Sequence, residues 1–439
     1  MKLWQKDHTD TAKLVEQFTI GKDRDFDLLL AAADIQGSLA HTAMLCHVGL
    51  LTREETELIH KGLQDINAQI AAGLFRIEDD VEDVHSQIEL QLTRDIGEAG
   101  KKIHSGRSRN DQVAVAIKLY LKEEIRDIAK LTSVLFSQLQ QLSGQYRHCL
   151  MPGYTHLQVA MPSSFGLWFG AYAESLVDDL ELLAAAYKVT DKNPLGSGAG
   201  YGSSFPLNRR LSTELLQMGG LHYNVVYAQM SRGKTERFVA TGIAALGATL
   251  ARLSMDVCLF MNQNFGFLSF PEALTTGSSI MPHKKNPDIF ELVRGKGNRL
   301  QSVPNELTLL TTNLPSGYHR ELQLTKEILF PALEMLKDCF RILSFALPQV
   351  KIKEDILSDN AYRYLFTVEA VNDLVNQGLP FREAYRAVGA SVEEGNFDYQ
   401  GFDPSRHTHE GSMGNLCNEE IRVAMEKVLR QFSLELPEA

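Results

Sequence analysis

The chain has 439 residues, 44% hydrophobic and 23% charged, values ordinary for a water-soluble globular protein with a large core. Its formal net charge of −11, with no basic stripe, argues against nucleic acid or a membrane surface as partner, so any local cluster of cations is notable. The five cysteines (Cys46, Cys149, Cys258, Cys339, Cys417) are widely spaced and form no Cys-x-x-Cys pair, which suits free thiols in a reducing compartment better than disulfides or zinc. The polar start, Met1-Lys2-Leu3-Trp4-Gln5-Lys6-Asp7-His8, contains no apolar signal core, and the cytoplasm is the expected location.

None of the 14 prolines precedes Pro152. In that proline-free stretch Ile117, Leu121, Ile125, Ile128, Leu131, Leu135, Leu139 and Leu142 recur every three or four residues. The spacing predicts an amphipathic helix over 111–145, roughly 50 Å long at 1.5 Å per residue. Similar patterns predict helices over 163–190, 230–262, 288–312 and 320–347, punctuated by Pro152-Gly153, Asn193-Pro194 and Pro315-Ser316-Gly317. Residues 238–261 form the most apolar stretch, but Arg252 and Asp256 within it favour a helix buried in a bundle over a membrane span.

Five helices of this length, with few alternating strand patterns, imply an all-α fold with an elongated central bundle of long helices. The expected division is an N-terminal helical domain over 1–106, the bundle over 107–355 and a small C-terminal helical domain over 356–439. Several helices are apolar on more than one face, so association with further subunits is expected.

Ser105-Gly106-Arg107-Ser108-Arg109-Asn110-Asp111-Gln112 directly precedes the first long helix. Free backbone N–H groups at a helix start, beside Ser108, Arg109 and Asn110, would form a carboxylate-binding corner. Plain capping by Asn110 or Asp111 is the alternative, and the two can coexist. Gly153-Tyr154-Thr155-His156-Leu157-Gln158, bracketed by Pro152 and Pro162, is predicted to be extended, projecting Thr155 and His156 into a cleft. A histidine there is a candidate acid–base group, and Glu291 a candidate carboxylate to orient it.

Gly277-Ser278-Ser279-Ile280-Met281-Pro282-His283-Lys284-Lys285-Asn286-Pro287-Asp288 reads as a mobile, cation-bearing lid tethered to a helix, with Asn286 able to cap that helix. Lys284 and exclusion of water would stabilise a serine alkoxide at Ser278. Tyr318, Arg320, Gln323 and Lys326 follow a turn, and Gln323 and Lys326 share a face if a helix starts there. Gly196-Ser197-Gly198-Ala199-Gly200-Tyr201-Gly202 looks like a dinucleotide loop but follows Asn193-Pro194 and no strand. His407-Thr408-His409-Glu410 lacks the further ligands a metal site needs.

Together these segments resemble the fumarase/aspartase superfamily, and within it the argininosuccinate lyases most closely. The lid ending Lys284-Lys285-Asn286-Pro287-Asp288, the string Gly106-Arg107-Ser108-Arg109-Asn110-Asp111-Gln112, Gly153-Tyr154-Thr155-His156, Pro194-Leu195-Gly196-Ser197-Gly198-Ala199, and Tyr318 with Gln323 and Lys326 carry the likeness. It implies a reversible anti elimination of argininosuccinate to arginine and fumarate, without cofactor or metal, in a homotetramer whose active sites draw on several subunits. Carried over, Ser278 would remove the proton, Lys284 would hold the carboxylate, and His156, oriented by Glu291, would protonate the leaving nitrogen. Asp83, Ser108, Arg109, Asn110, Thr155, Asn286, Tyr318, Gln323 and Lys326 would bind substrate.

The chain departs from that pattern near its start. Gly21 stands where the family has a substrate-touching serine, Thr235-Glu236-Arg237 replaces an Asp-Arg-Asp, and His283 stands where Gln is common. Adenylosuccinate lyase shares a histidine-bearing lid, but the Ser-Arg-Asn-Asp-Gln string and the Lys-Lys-Asn-Pro-Asp ending differ from it. A non-catalytic, lens-crystallin-like relative is the other reading, against which Ser278, His156 and Lys284 all stand.

Overall fold

A computed structural model describes residues 13–437; the Leu3-Trp4-Gln5-Lys6-Asp7-His8 start lies outside the described residues. Helices dominate, as the apolar periodicity predicts. The chain begins with α1 (Lys13–Ile20), α2 (Asp23–Asp27), α3 (Ala31–His47), α4 (Arg53–Ala71), α5 (Val84–Ile96) and α6 (Glu98–Lys101), then the 37-residue α7 (Arg109–Gln145). A hairpin of β1 (Leu150–Thr155) and β2 (Gln158–Ser164) leads into α8 (Phe165–Thr190), α9 (Arg209–Leu215), α10 (Val225–Met230) and α11 (Lys234–Met261). Then come β3 (Leu268–Ser269), α12 (Asp288–Leu300), α13 (Val303–Leu310), α14 (Thr325–Ala346) and β4 (Lys351–Ile352), closing with α15 (Thr367–Asn376), α16 (Phe381–Glu393) and α17 (Asn418–Leu429).

Two sequence-based expectations are corrected. The helix expected over 288–312 breaks after Leu300, and Pro304 stands in the first turn of α13. Proline has no N–H to offer the carbonyl four residues back, that of Leu300, so one helix ends and another begins. The helix expected from 320 opens as a 3₁₀ turn, Arg320–Leu324, and becomes α-helical only at Thr325.

The residues form two compact units, one of Met1–Ile128, Leu182–Ala245 and Arg299–Leu336, the other of Ala129–Glu181, Leu246–Asn298 and Lys337–Ala439. In the first unit, Ala40 of α3 packs with Val115 and Leu119 of α7 and with Leu195, Leu216 and Met218. Under this core lies a polar node centred on Asp34. Its Oδ1 meets Nδ1 of His85 at 2.8 Å and accepts the Gln112 side-chain amide at 2.9 Å, so α3, α5 and α7 are tied at one buried carboxylate. Burial alone would raise this carboxyl, but the His85 imidazole, with Arg107 nearby, holds it at about 2.

In the second unit an aromatic series backs the hairpin: Tyr154 stands edge-on to Phe265, Phe265 to Phe267, and Phe260 lies between Phe267 and Trp168. Asp256 of α11 accepts hydrogen bonds from Trp168 Nε1 (3.0 Å) and the Tyr172 hydroxyl (2.6 Å) of α8. The α11 helix is apolar and long enough to cross a membrane by length and composition, and this satisfied carboxylate on it belongs to helix–helix packing. In the same unit Gly297 of α12 lies against the backbone of Gly247 in α11. Helices α12, α13 and α14 also leave large apolar side chains uncovered: Leu292 is 65% exposed, Leu309 68% and Phe345 61%. Exposed large apolar side chains of this kind suit a subunit interface.

A methyl at Gly297 would come within 2.3 Å of the Gly247 carbonyl oxygen. Gly297→Ala is therefore expected to cost about 1–3 kcal/mol in a denaturant titration; an unchanged midpoint would mean that the two helices are not in close contact. Asp34, lowered from 3.8 to about 2, favours the folded state once ionised, an increment of about 2 kcal/mol. That increment is fully present above roughly pH 4 and lost as pH falls through 2, so wild type should lose more stability between pH 5 and 3 than Asp34→Asn does. Parallel pH profiles for the two proteins would contradict the pairing.

Candidate active site

Ahead of the first long helix the capping differs from expectation. The residue before the helix, Ser108, accepts the Asn110 N–H at its hydroxyl (3.3 Å), and Asp111 reaches back to the Ser108 N–H (2.8 Å). Ser108 is thus the cap and Asp111 its reciprocal partner. The other oxygen of Asp111 accepts the N–H groups of Gly196 and Gly198, each at 2.9 Å. These glycines adopt φ of 79° and 60°, a left-handed conformation in which both amides converge on one anion. The glycine-rich loop therefore holds the chain's own carboxylate, which accounts for its likeness to a phosphate loop. Burial pushes Asp111 up to about 6 against the pull of these N–H donors.

Around this corner the first unit encloses a cavity of about 430 Å³. Seven of the expected substrate-binding residues line it: Asp83, Ser108, Arg109, Asn110, Tyr318, Gln323 and Lys326. They come from segments more than 200 positions apart, and chance would not gather them. Asp83 caps α5 by accepting the Ser86 N–H at 2.6 Å and lies 3.5 Å from Arg109 Nε. Burial would raise its carboxyl, but Arg109 holds it below the ordinary value. Arg109 also donates to Gln112 (2.6 Å) and Ser86 (3.2 Å), which fixes the guanidinium at the pocket wall.

The expectation that Gln323 and Lys326 share a face holds, though Gln323 sits in the 3₁₀ turn and Lys326 in α14. Gln323 donates its amide to the Thr19 and Ile20 carbonyls at 3.1 Å, which pins the end of α1 to the pocket. Gly21, which stands where the likeness would place a serine, has φ of 55°. A side chain there would be strained, so the substitution fits the backbone turn. The Lys326 ammonium, 3% exposed as a residue, bonds Asp27 and lies 2.6 Å from Asp23. Burial alone would lower Lys326, but the two carboxylates raise it, while burial and the neighbouring Asp27 push Asp23 up to about 6. Arg320 pairs with Glu82 at 2.9 Å.

Sequence reasoning passed over Asp23, Asp27, Arg232 and His104, all of which line this cavity. No local signal marks Asp23 and Asp27: their ion pairs run to a lysine about 300 positions away. The cavity wall carries four carboxylates (Asp23, Asp27, Glu82, Asp83) against four permanent cations (Arg109, Arg232, Arg320, Lys326). A wall of balanced charge suits a zwitterionic molecule better than a simple anion or cation.

The second unit carries the remaining candidates. Thr155 ends β1, and His156 and Leu157 make the hairpin turn with φ of 54° and 57°. Two left-handed residues in succession are what a tight hairpin of this twist requires, and they put the imidazole at an exposed tip. The lid is strapped at its neck: Thr276 and Asn286 exchange backbone bonds of 3.3 and 2.8 Å, and Thr276 donates to the Asp288 carboxylate. The Asn286 side-chain amide donates to the Gly277 carbonyl and to Thr276 Oγ1, both at 3.3 Å. α12 begins at Asp288, which puts Pro287 and not Asn286 directly before the helix. The Pro287 carbonyl takes the first helical bonds, from Phe290 and Glu291.

Inside the loop the Ser278 hydroxyl oxygen accepts two backbone N–H groups, from Ile280 (3.3 Å) and Met281 (3.2 Å). Such donors stabilise negative charge on that oxygen more than they stabilise the neutral hydroxyl. Lys284 is exposed on the same loop. Glu291 lies 3.9 Å from Arg294, one turn on in α12, so within the single chain its charged partner is Arg294 and not His156. Among the described residues no group of three or more His, Cys, Asp or Glu could hold a metal, and His407 instead meets Glu369 at 3.2 Å.

Residues 6–302 match the family described as lyase. Argininosuccinate lyase of Bacteroides fragilis is 54% identical over 434 residues, covering 99% of this chain and 96% of that protein. The enzyme of Parabacteroides distasonis is 55% identical over 437 residues (99% and 97%), and that of Thermotoga neapolitana 38% over 387 (88% and 97%). Among solved structures, an EDDS lyase in complex with formate superposes with a TM-score of 0.76 at 20% identity, covering 97% of this chain and 91% of that one. A class II fumarase from Schistosoma mansoni gives a TM-score of 0.72 at 14% identity, covering 94% and 91%. The chain belongs to the argininosuccinate lyase family of the fumarase/aspartase superfamily.

Proposed function

We propose that the chain splits argininosuccinate reversibly into arginine and fumarate in the cytoplasm, as a homotetramer. The observation that carries this reading is the charge-balanced cavity where Ser108, Arg109, Asn110, Tyr318 and Gln323 meet. Argininosuccinate bears carboxylates, an ammonium and a guanidinium, and this wall offers partners for both signs. The exposed lid and hairpin tip supply Ser278, Lys284, Asn286, Thr155 and His156, and the uncovered apolar helix faces support an assembly in which other subunits bring these segments to the cavity.

In the elimination, the Ser278 alkoxide takes the proton from the succinyl carbon adjacent to the carbon bearing nitrogen. The released electron pair moves into the neighbouring carboxylate, whose added charge Lys284 and backbone N–H donors stabilise. The C–N bond then breaks, its electrons leave on the guanidino nitrogen, and His156, oriented by Glu291, protonates that nitrogen. The double bond of fumarate remains. The two N–H groups on Ser278 Oγ support its role as base, since they favour the charged oxygen. No step needs a metal or an organic cofactor.

Purified protein mixed separately with argininosuccinate, adenylosuccinate or malate should release fumarate, read by its ultraviolet absorbance, with argininosuccinate alone. Silence with argininosuccinate overturns the reading, and fumarate from adenylosuccinate would assign the sister activity. Ser278→Ala and His156→Asn should each lower turnover at least ~100-fold with the tetramer intact by light scattering. Near-normal turnover in either variant removes that residue from its assigned step.

A further inference from the structure

Beside the substrate cavity the first unit holds a second, smaller one of about 160 Å³. Arg232, Lys234, Arg237 and His319 line it, together with Gln229 and Thr311, and no aspartate or glutamate does. In a chain of net charge −11, three cations and a histidine line this cavity, and Glu236 behind Arg232 offsets only one of the three, which favours an anion in the cavity. We propose that this cavity binds a small oxyanion, a dicarboxylate or phosphate, separate from the reacting substrate.

Arg232 carries most of the argument. It is 6% exposed, and its guanidinium donates through Nε to Glu236 (3.2 Å) and through Nη2 to the Leu322 carbonyl (3.2 Å). Its third nitrogen, Nη1, is buried and meets no acceptor, and neither does the buried Nε2 of His319. A buried donor left without an acceptor is costly, and an oxyanion accepting from Arg232 Nη1 would remove that cost. Among the described residues the carboxylate paired with this group is Glu236, through Arg232. Lys234 and Arg237 face aromatic rings, Tyr227 at 5.3 Å and Phe238 at 5.9 Å, and neither forms an ion pair among the described residues. Both lie in the first turn of the 28-residue α11, whose positive end adds to the field.

Size restricts the occupant. About 160 Å³ is below the usual range for organic ligand sites, which favours a small ion over a nucleotide. Arg232 borders both cavities, so an anion held here shares a charged group with the substrate cavity and alters the field within it.

The test uses the full-length assembled protein, titrated by calorimetry with sodium phosphate and, separately, sodium succinate, at ionic strength held constant with chloride. The wild type should bind at least one of the two saturably. Lys234→Ala/Arg237→Ala should weaken that binding at least ~10-fold, as expected for loss of charged hydrogen bonds, and leave basal turnover at low anion concentration unchanged. Which salt binds tells phosphate from dicarboxylate. Equal affinity in wild type and variant, or no saturable binding by wild type, overturns the proposal. So does a double variant that falls apart as an oligomer with its anion affinity unchanged, since a carboxylate of another copy would then be the occupant. If the double variant does not fold, Lys234→Gln, at an exposed position, decides by the same criterion. The readout is binding, so absence of lyase activity would leave this result standing on its own.

Discussion

A carboxylate with no exposure to water, that of Asp111, organises the corner on which the candidate site is built. It holds the N–H groups of Ser108, Gly196 and Gly198, and so joins the start of a 37-residue helix to a loop more than 80 positions later. An anion at a helix N-terminus is favoured by the free N–H groups there, and burial strengthens each bond. Once Asp111 is in place, Ser108, Arg109 and Asn110 have no freedom to point elsewhere. The same residues that look like a ligand-binding motif are thus first a folding device, and the two uses are compatible because different atoms perform them.

The cavity wall follows a related rule. Its cations are largely committed to carboxylates of the protein: Lys326 to Asp23 and Asp27, Arg320 to Glu82, Arg109 to Asp83. Pairing keeps these long side chains ordered and leaves the wall close to neutral. A bound zwitterion then meets oriented partners and pays little to reorder them. Arg232 also pairs with a carboxylate, Glu236, but keeps one buried donor without an acceptor, and that surplus sets the neighbouring small cavity apart.

The catalytic candidates occupy a different kind of structure. Ser278 and Lys284 stand on a loop strapped only at Thr276 and Asn286, and His156 on the tip of a two-stranded hairpin. Both are exposed and both have a firm base, the hairpin resting on Tyr154 and Phe265, the loop on α12. Groups that must meet a reactant and then let product go are well served by a rigid stem and an open end.

Much of this was legible before any coordinates. The recurrence of Ile117, Leu121, Ile125 and Ile128 marks α7 because helix periodicity is a local property, and the order of short motifs marks the family because each keeps its own spacing. Prolines set boundaries, although the break at Pro304 was overlooked because the apolar pattern runs on through it. Pairings across long separations could not be read. Nothing near Lys326 announces Asp23 and Asp27, nothing in the glycine-rich loop names Asp111 as its anion, and Asn286 looks like a cap until α12 is seen to begin at Asp288. Which polar group satisfies which is settled only when the chain closes on itself, because burial makes every unmet donor costly and the folded arrangement is the one that leaves fewest.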